Sequence, residues 1–231
     1  MALQEDIYGS LSGNKEATYS LAKHYAIKMQ QATEHNKISG KENKAKMQLL
    51  QNDLVYWLAR AHKQNHQETW LLYANVYKNK FLQLPENITV ESCFKKALKN
   101  DQSGEVAFQY AEYLLQNSQH KRAMNFMHQA AEKANHDAIK VLQAYYYKKN
   151  QKEYLKWIDA GINAKVKQSF ILDLAYKLDV WEKDKENQLR QKQVKTALIS
   201  AQSHQSEGLK YFQGYCDYYG YWGKIPIQRK G

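Results

Sequence analysis

Three stretches of this chain, EATYSLAKHYA (16–26), ETWLLYANVYK (68–78) and DAIKVLQAYYY (137–147), share one spacing. An apolar residue follows a leading position by four, a small or neutral residue comes next, and an apolar or aromatic residue follows three further on. Offsets of i, i+4, i+5 and i+8 fall on one side of a 3.6-residue helix. Extended along the chain, the template predicts six helices. They lead from Ala17, Thr69, Val106, Ala138, Phe170 and Gly208, and close on Tyr25, Tyr77, Leu114, Tyr146, Leu178 and Cys216. The second positions are Leu21, Tyr73, Tyr110, Leu142, Leu174 and Phe212; the small positions are Ala22, Ala74, Ala111, Gln143, Ala175 and Gln213. Intervals of 52, 37, 32, 32 and 38 residues separate the leading positions. Such a period fits a two-helix unit that buries its apolar face against its neighbours.

The second helix of each unit has its own signal. A large aromatic precedes the next leading position by twelve residues at Trp57, Phe94 and Phe126, with Ala61, Leu98 and Ala130 four residues later on the same face. Trp157 fills this slot with a linker one residue longer, and in the last unit Thr196 occupies it while Ala197 and Ala201 carry the packing. The longer intervals predict insertions at 29–46 and 179–193, both charged and polar, as exposed loops or helix extensions on one edge of a stack. With only 2 Pro and 10 Gly, breakers are too few for a β-sandwich. The expected class is all-α, as one array over 1–231. YGSLSGN (8–14) reads as the tail of a second helix and the chain ends after a first helix, the pattern of non-standard caps or of a piece of a longer array.

GNKEATYSLAKHYA (13–26), YWLARAHKQNHQETWLLYANVY (56–77) and NFMHQAAEKANHDAIKVLQAYY (125–146) resemble Sel-1-like repeats, relatives of tetratricopeptide repeats. The resemblance covers almost the whole chain. The family's glycine after Leu is Ala or Gln here, and its loop glycines are mostly missing. The resemblance implies a right-handed α-solenoid of about five to six helix-turn-helix repeats whose first helices line a concave groove. By similarity to tetratricopeptide grooves, the third and seventh positions face inward: Tyr19, Lys23, Leu71, Asn75, Phe108, Glu112, Lys140, Ala144, Leu172 and Tyr176. Their mixed aromatic, aliphatic and Lys character suits an acidic peptide, helix or surface. It also implies that the aromatic-rich segment YFQGYCDYYGYWG (211–223) mainly ends the array, with Phe212 and Cys216 facing the preceding repeat. Tyr211, Tyr215 and Tyr218 follow a separate three-to-four spacing and are candidates for an aromatic patch.

Catalytic signatures are missing from the sequence. HQETW (66–70) lacks the second His of a zinc-protease helix, and His62 and His66 have no nearby third ligand. SGKENK (39–44) lacks the first Gly and the Ser/Thr of a phosphate loop. Cys93 and Cys216 sit in apolar surroundings and read as buried free thiols. The expectation is no enzyme, no cofactor and no metal. The net charge of +11 comes almost wholly from Lys, since Arg occurs only at 60, 122, 190 and 229. Arg is the residue suited to bidentate contacts with phosphates and base edges, whereas scattered Lys is often a solvated face, so nucleic acid is not the expected partner. The N-terminus carries Glu5 and Asp6 without an apolar run, and no stretch is long and apolar enough to span a bilayer. The chain as given reads as soluble and cytoplasmic, although a leader removed ahead of it would leave the same sequence. The primary reading is a protein-binding adaptor or scaffold. An inhibitor or immunity protein that neutralises an effector is one alternative, and a Lys-rich nucleic-acid-binding repeat protein is another.

Overall fold

A computed structural model describes residues 2–40, 43–83, 88–206, 208–210, 212 and 214. Among these residues the chain is all-helical, with eleven helices. They are α1 (Ala2–Leu11), α2 (Lys15–Ser39), α3 (Lys44–Lys63), α4 (Thr69–Lys78), α5 (Val90–Leu98), α6 (Glu105–Gln116), α7 (His120–Glu132), α8 (His136–Tyr146), α9 (Gln151–Asn163), α10 (Lys167–Glu182) and α11 (Gln188–Ser203). The chain forms two compact units, Met1–Ala123 and Met124–Gly231, with the division inside α7.

The periodic pattern maps onto these helices. The five leading positions Ala17, Thr69, Val106, Ala138 and Phe170 are all buried and start α2, α4, α6, α8 and α10. In the first unit, consecutive helices pack along α1 to α6, with α2 also touching α4. Its core centres on Leu21, Leu54, Leu58, Phe94, Tyr110 and Leu114, each at most 1% exposed. Burial of each such side chain stabilises the fold by about 2 kcal/mol. In the second unit α9 packs on α8 and α10, and α10 on α11. One cluster there gathers Phe170, Leu174, Leu178, Trp181, Val194, Ala197 and Ala201, and Phe212 packs against it.

The residues expected as insertions are largely helical. Residues 29–39 continue α2, because nothing breaks the run until Gly40 closes it at φ 64° with its N–H on the Asn36 carbonyl. Within 179–193, the end of α10 buries Trp181, whose indole N–H donates to the Lys185 carbonyl at 3.2 Å. The second-helix aromatics divide: Phe94 and Trp157 are buried, whereas Trp57 and Phe126 are half-buried. On α5 Ala97 is the buried small residue, and Leu98 is half-buried.

One turn recurs at the ends of the helices. After α7, the Asn135 N–H donates to the Ala130 carbonyl (3.1 Å) and the Ala134 N–H to the Ala131 carbonyl (2.9 Å). Ala134 is left-handed at φ 61°. This paired arrangement satisfies carbonyls that a helix end would otherwise orphan. The same pairing occurs at 61–66, 161–166 and 201–206, with Asn65, Lys165 and Gln205 in the left-handed slot, and at 9–14 with Gly13 there. In the Gly13–Asn14 and Ala134–Asn135 versions, the residue ending one turn also caps the next helix. Asn14 accepts from the Glu16 and Ala17 N–H groups, and Asn135 from Ala138.

Candidate binding site

Within the first unit, a cleft of about 740 Å³ is lined by α2, the α3–α4 turn, α4, the α5–α6 loop and the start of α6. Tyr19 and Lys23 reach it from α2, and Leu71 and Asn75 from α4. These are the third and seventh positions of the first two periodic helices, four residues apart on each, so each pair stands on one helical face. Ala97, Leu72 and Val106 add apolar wall.

Tyr19 is held from below. Its ring stacks on His66 at 4.1 Å between centroids with planes 8° apart. His66 is itself fixed at both nitrogens. Its Nδ1 accepts the Glu68 N–H at 3.3 Å, which leaves Nε2 to donate to the Glu16 carboxylate at 2.9 Å. Burial and the nearby Glu68 carboxylate push the Tyr19 hydroxyl above its ordinary pKa, so the phenol stays neutral and remains a donor. His66, considered in the sequence only as a metal ligand, thus positions an aromatic wall. Among the described residues no group of three or more His, Cys, Asp or Glu side chains is placed to hold a metal ion.

Across the cleft, polar groups are tied into a ladder. Asn75 donates through Nδ2 to Gln109 Oε1 at 2.8 Å, and Gln109 donates through Nε2 to Glu105 at 2.5 Å. The α5–α6 loop is fixed by the buried Asp101, which accepts the Gly104 N–H (2.9 Å) and the Ala107 N–H (3.1 Å). Gly104 has no side chain to cap α6, so Asp101 does this from three residues upstream. The rim carries both signs of charge, with Lys23 and Lys99 beside Glu68 and Glu105.

The other expected groove residues divide between the units. Phe108 and Glu112 stand on α6 of the first unit, half-buried and exposed, outside the described lining of the cleft. Lys140 and Tyr176 belong to the second unit with Ala144 and Leu172. Lys140 pairs with Asp137 at 3.0 Å, and the Tyr176 hydroxyl accepts from Gln151 at 3.2 Å. Tyr211, Tyr215, Tyr218 and Cys216 lie outside the described residues. Sequence reasoning missed the loop Lys99–Ser103, although Asp101-x-x-Gly104 is a readable turn signal. Compared with known proteins, the chain matches no protein-family model and no curated protein.

Proposed function

We propose that this chain is a non-enzymatic helical-repeat protein, a right-handed α-solenoid of the Sel-1-like kind, that binds a segment of another protein in a preformed groove. The observation that carries this reading is the meeting of Tyr19, Lys23, Leu71 and Asn75 in one cleft of the first unit. Its wall is organised before any partner arrives, because Tyr19 is stacked, His66 is bonded at both nitrogens and Asn75 is tied through Gln109. A pre-ordered surface spends less entropy on binding, so modest contact area goes further. Lys23 and Lys99 beside Glu68 and Glu105 suit a segment that carries both charges around an apolar anchor for Leu71. Occlusion of such a segment serves scaffolding and inhibition equally well, and the partner's identity decides between them.

The test is a pull-down from the native source at two salt concentrations, with wild type beside Leu71→Asp. One stoichiometric protein retained at high salt, and weakened about tenfold or more by Leu71→Asp, is the expected result. Equal retention by a Leu71→Asp protein with unchanged circular dichroism would refute the cleft as the binding site.

A further inference from the structure

The second unit contains a feature independent of the cleft. Its α8–α9 corner reads YYYKKNQK over 145–152. The three tyrosines face different ways. Tyr146 is half-buried, and its hydroxyl lies 3.0 Å from His128 Nε2. That anchor turns its neighbours outward: Tyr145 is 41% exposed and Tyr147 is 59% exposed. The backbone beneath them is ordered, since the Lys149 and Asn150 N–H groups both donate to the Tyr146 carbonyl at 3.0 and 3.1 Å. Tyr147 also rests edge-on against the buried Tyr154 at 5.3 Å.

Cations surround these rings. Lys149 Nζ sits 3.8 Å from the Tyr145 ring centroid and Lys148 Nζ 5.8 Å from that of Tyr147. Lys148, Lys149 and Lys152 pair with no carboxylate among the described residues. Glu153, the acid adjoining the corner, pairs with Lys156, and Asp137 on α8 pairs with Lys140. The corner therefore offers positive charge and flat aromatic faces, held on a fixed turn.

We propose that this corner binds single-stranded nucleic acid without sequence preference, with a base stacked on Tyr147 and phosphates held by Lys148, Lys149 and Lys152. Flat rings flanked by cations match the alternation of base and phosphate along a single strand, and stacking accepts every base. Such binding does not call on Arg forks, because no base edge is read. A membrane surface is the poorer fit: residues 145–152 contain no Leu, Ile, Phe or Trp to enter the acyl boundary.

Fluorescence anisotropy of a labelled oligothymidylate of about 16 nucleotides tests this on the full chain. Wild type is expected to bind with log K falling against log salt, and each of Lys148→Gln and Lys149→Gln should reduce the magnitude of that slope by about 0.7. Tyr147→Ala should weaken binding about tenfold at unchanged slope, and Tyr147→Trp should restore it. Tyr147 is exposed enough that its truncation leaves the helical fold intact, which circular dichroism checks. No detectable binding, equal affinity in all variants, equal affinity for a duplex of the same sequence, or binding to phosphatidylserine vesicles in place of the oligonucleotide would each overturn the proposal.

Discussion

Ala134 occupies a conformation that suits glycine. It stands at φ 61° in the turn after α7, and the left-handed region costs a residue with a Cβ about 1–2 kcal/mol. Part of that is recovered because Ala loses less chain entropy on folding than Gly, by about 0.5–1 kcal/mol. Ala134→Gly is therefore expected to stabilise the protein by about 0.5–1 kcal/mol, seen as a higher urea midpoint at unchanged m-value. A lower midpoint would mean that the turn is held by something other than its backbone bonds. Gly161 is the opposite case. A Cβ there would lie 1.9 Å from Ser169 Oγ and 2.8 Å from Gln143 Nε2, at a point where Gln143 already donates to Ser169 Oγ (2.7 Å) and the Trp157 carbonyl (2.9 Å). A methyl group would wedge α9 away from α10, so Gly161→Ala should cost about 2–3 kcal/mol. Adding Ser169→Gly should recover part of the loss. A neutral Gly161→Ala would show that the crossing is loose.

At the scale of the helices, Glu91 links three of them. It sits on α5, bonds Arg122 on α7 and accepts Lys95 at 3.2 Å, while Arg122 also donates to the Tyr110 hydroxyl on α6 at 3.0 Å. The Arg122 guanidinium holds the Glu91 carboxyl down at about 2, from an ordinary value of 4.5. A depressed carboxylate contributes stability that is complete above pH 4.5 and is lost as pH falls through 4.5 toward 2. Solvent access to both partners reduces the effect to about 1 kcal/mol. Urea titrations at pH 7 and pH 3 should show wild type losing about that much more than Glu91→Gln; equal losses would place the acid sensitivity elsewhere. The helices themselves were legible, because Leu21, Tyr110, Leu142 and Leu174 recur at a fixed phase and a core face has to repeat with the helix. The cleft was legible in half, from Tyr19, Lys23, Leu71 and Asn75. His66 and Asp101 were not, since they act through turns: Asp101-x-x-Gly104 marks a turn in the sequence but has no period that would place it at the cleft. The linking turn faded for a related reason. Gly13–Asn14 keeps both the permissive residue and the cap, Ala134–Asn135 keeps only the cap, and Lys165–Val166 keeps neither, yet all three retain the same pair of backbone bonds. The hydrogen bonds fix the turn, and the side chains only tune its cost.

At the scale of the whole molecule, contacts within each of the two compact units run mainly between successive helices. Each unit has its own buried core, so its stability rests mainly on contacts within it. A lesion in one unit should then open that unit before the other. Gly161→Ala supplies the lesion, because the crossing it disturbs lies wholly within the second unit. Native-state hydrogen exchange should show Ile158 and Leu174 amides losing protection by roughly the full 2–3 kcal/mol, while Leu21 and Leu58 amides in the first unit lose well under half of it. The two proposed binding sites follow the same division. The cleft around Leu71 belongs to the first unit and the Tyr147 corner to the second. Warming the variant until the second unit opens should therefore abolish oligonucleotide binding while Leu71-dependent capture of the protein partner persists. Loss of both at one temperature, with equal loss of protection in both units, would mean that the chain unfolds as a single cooperative body.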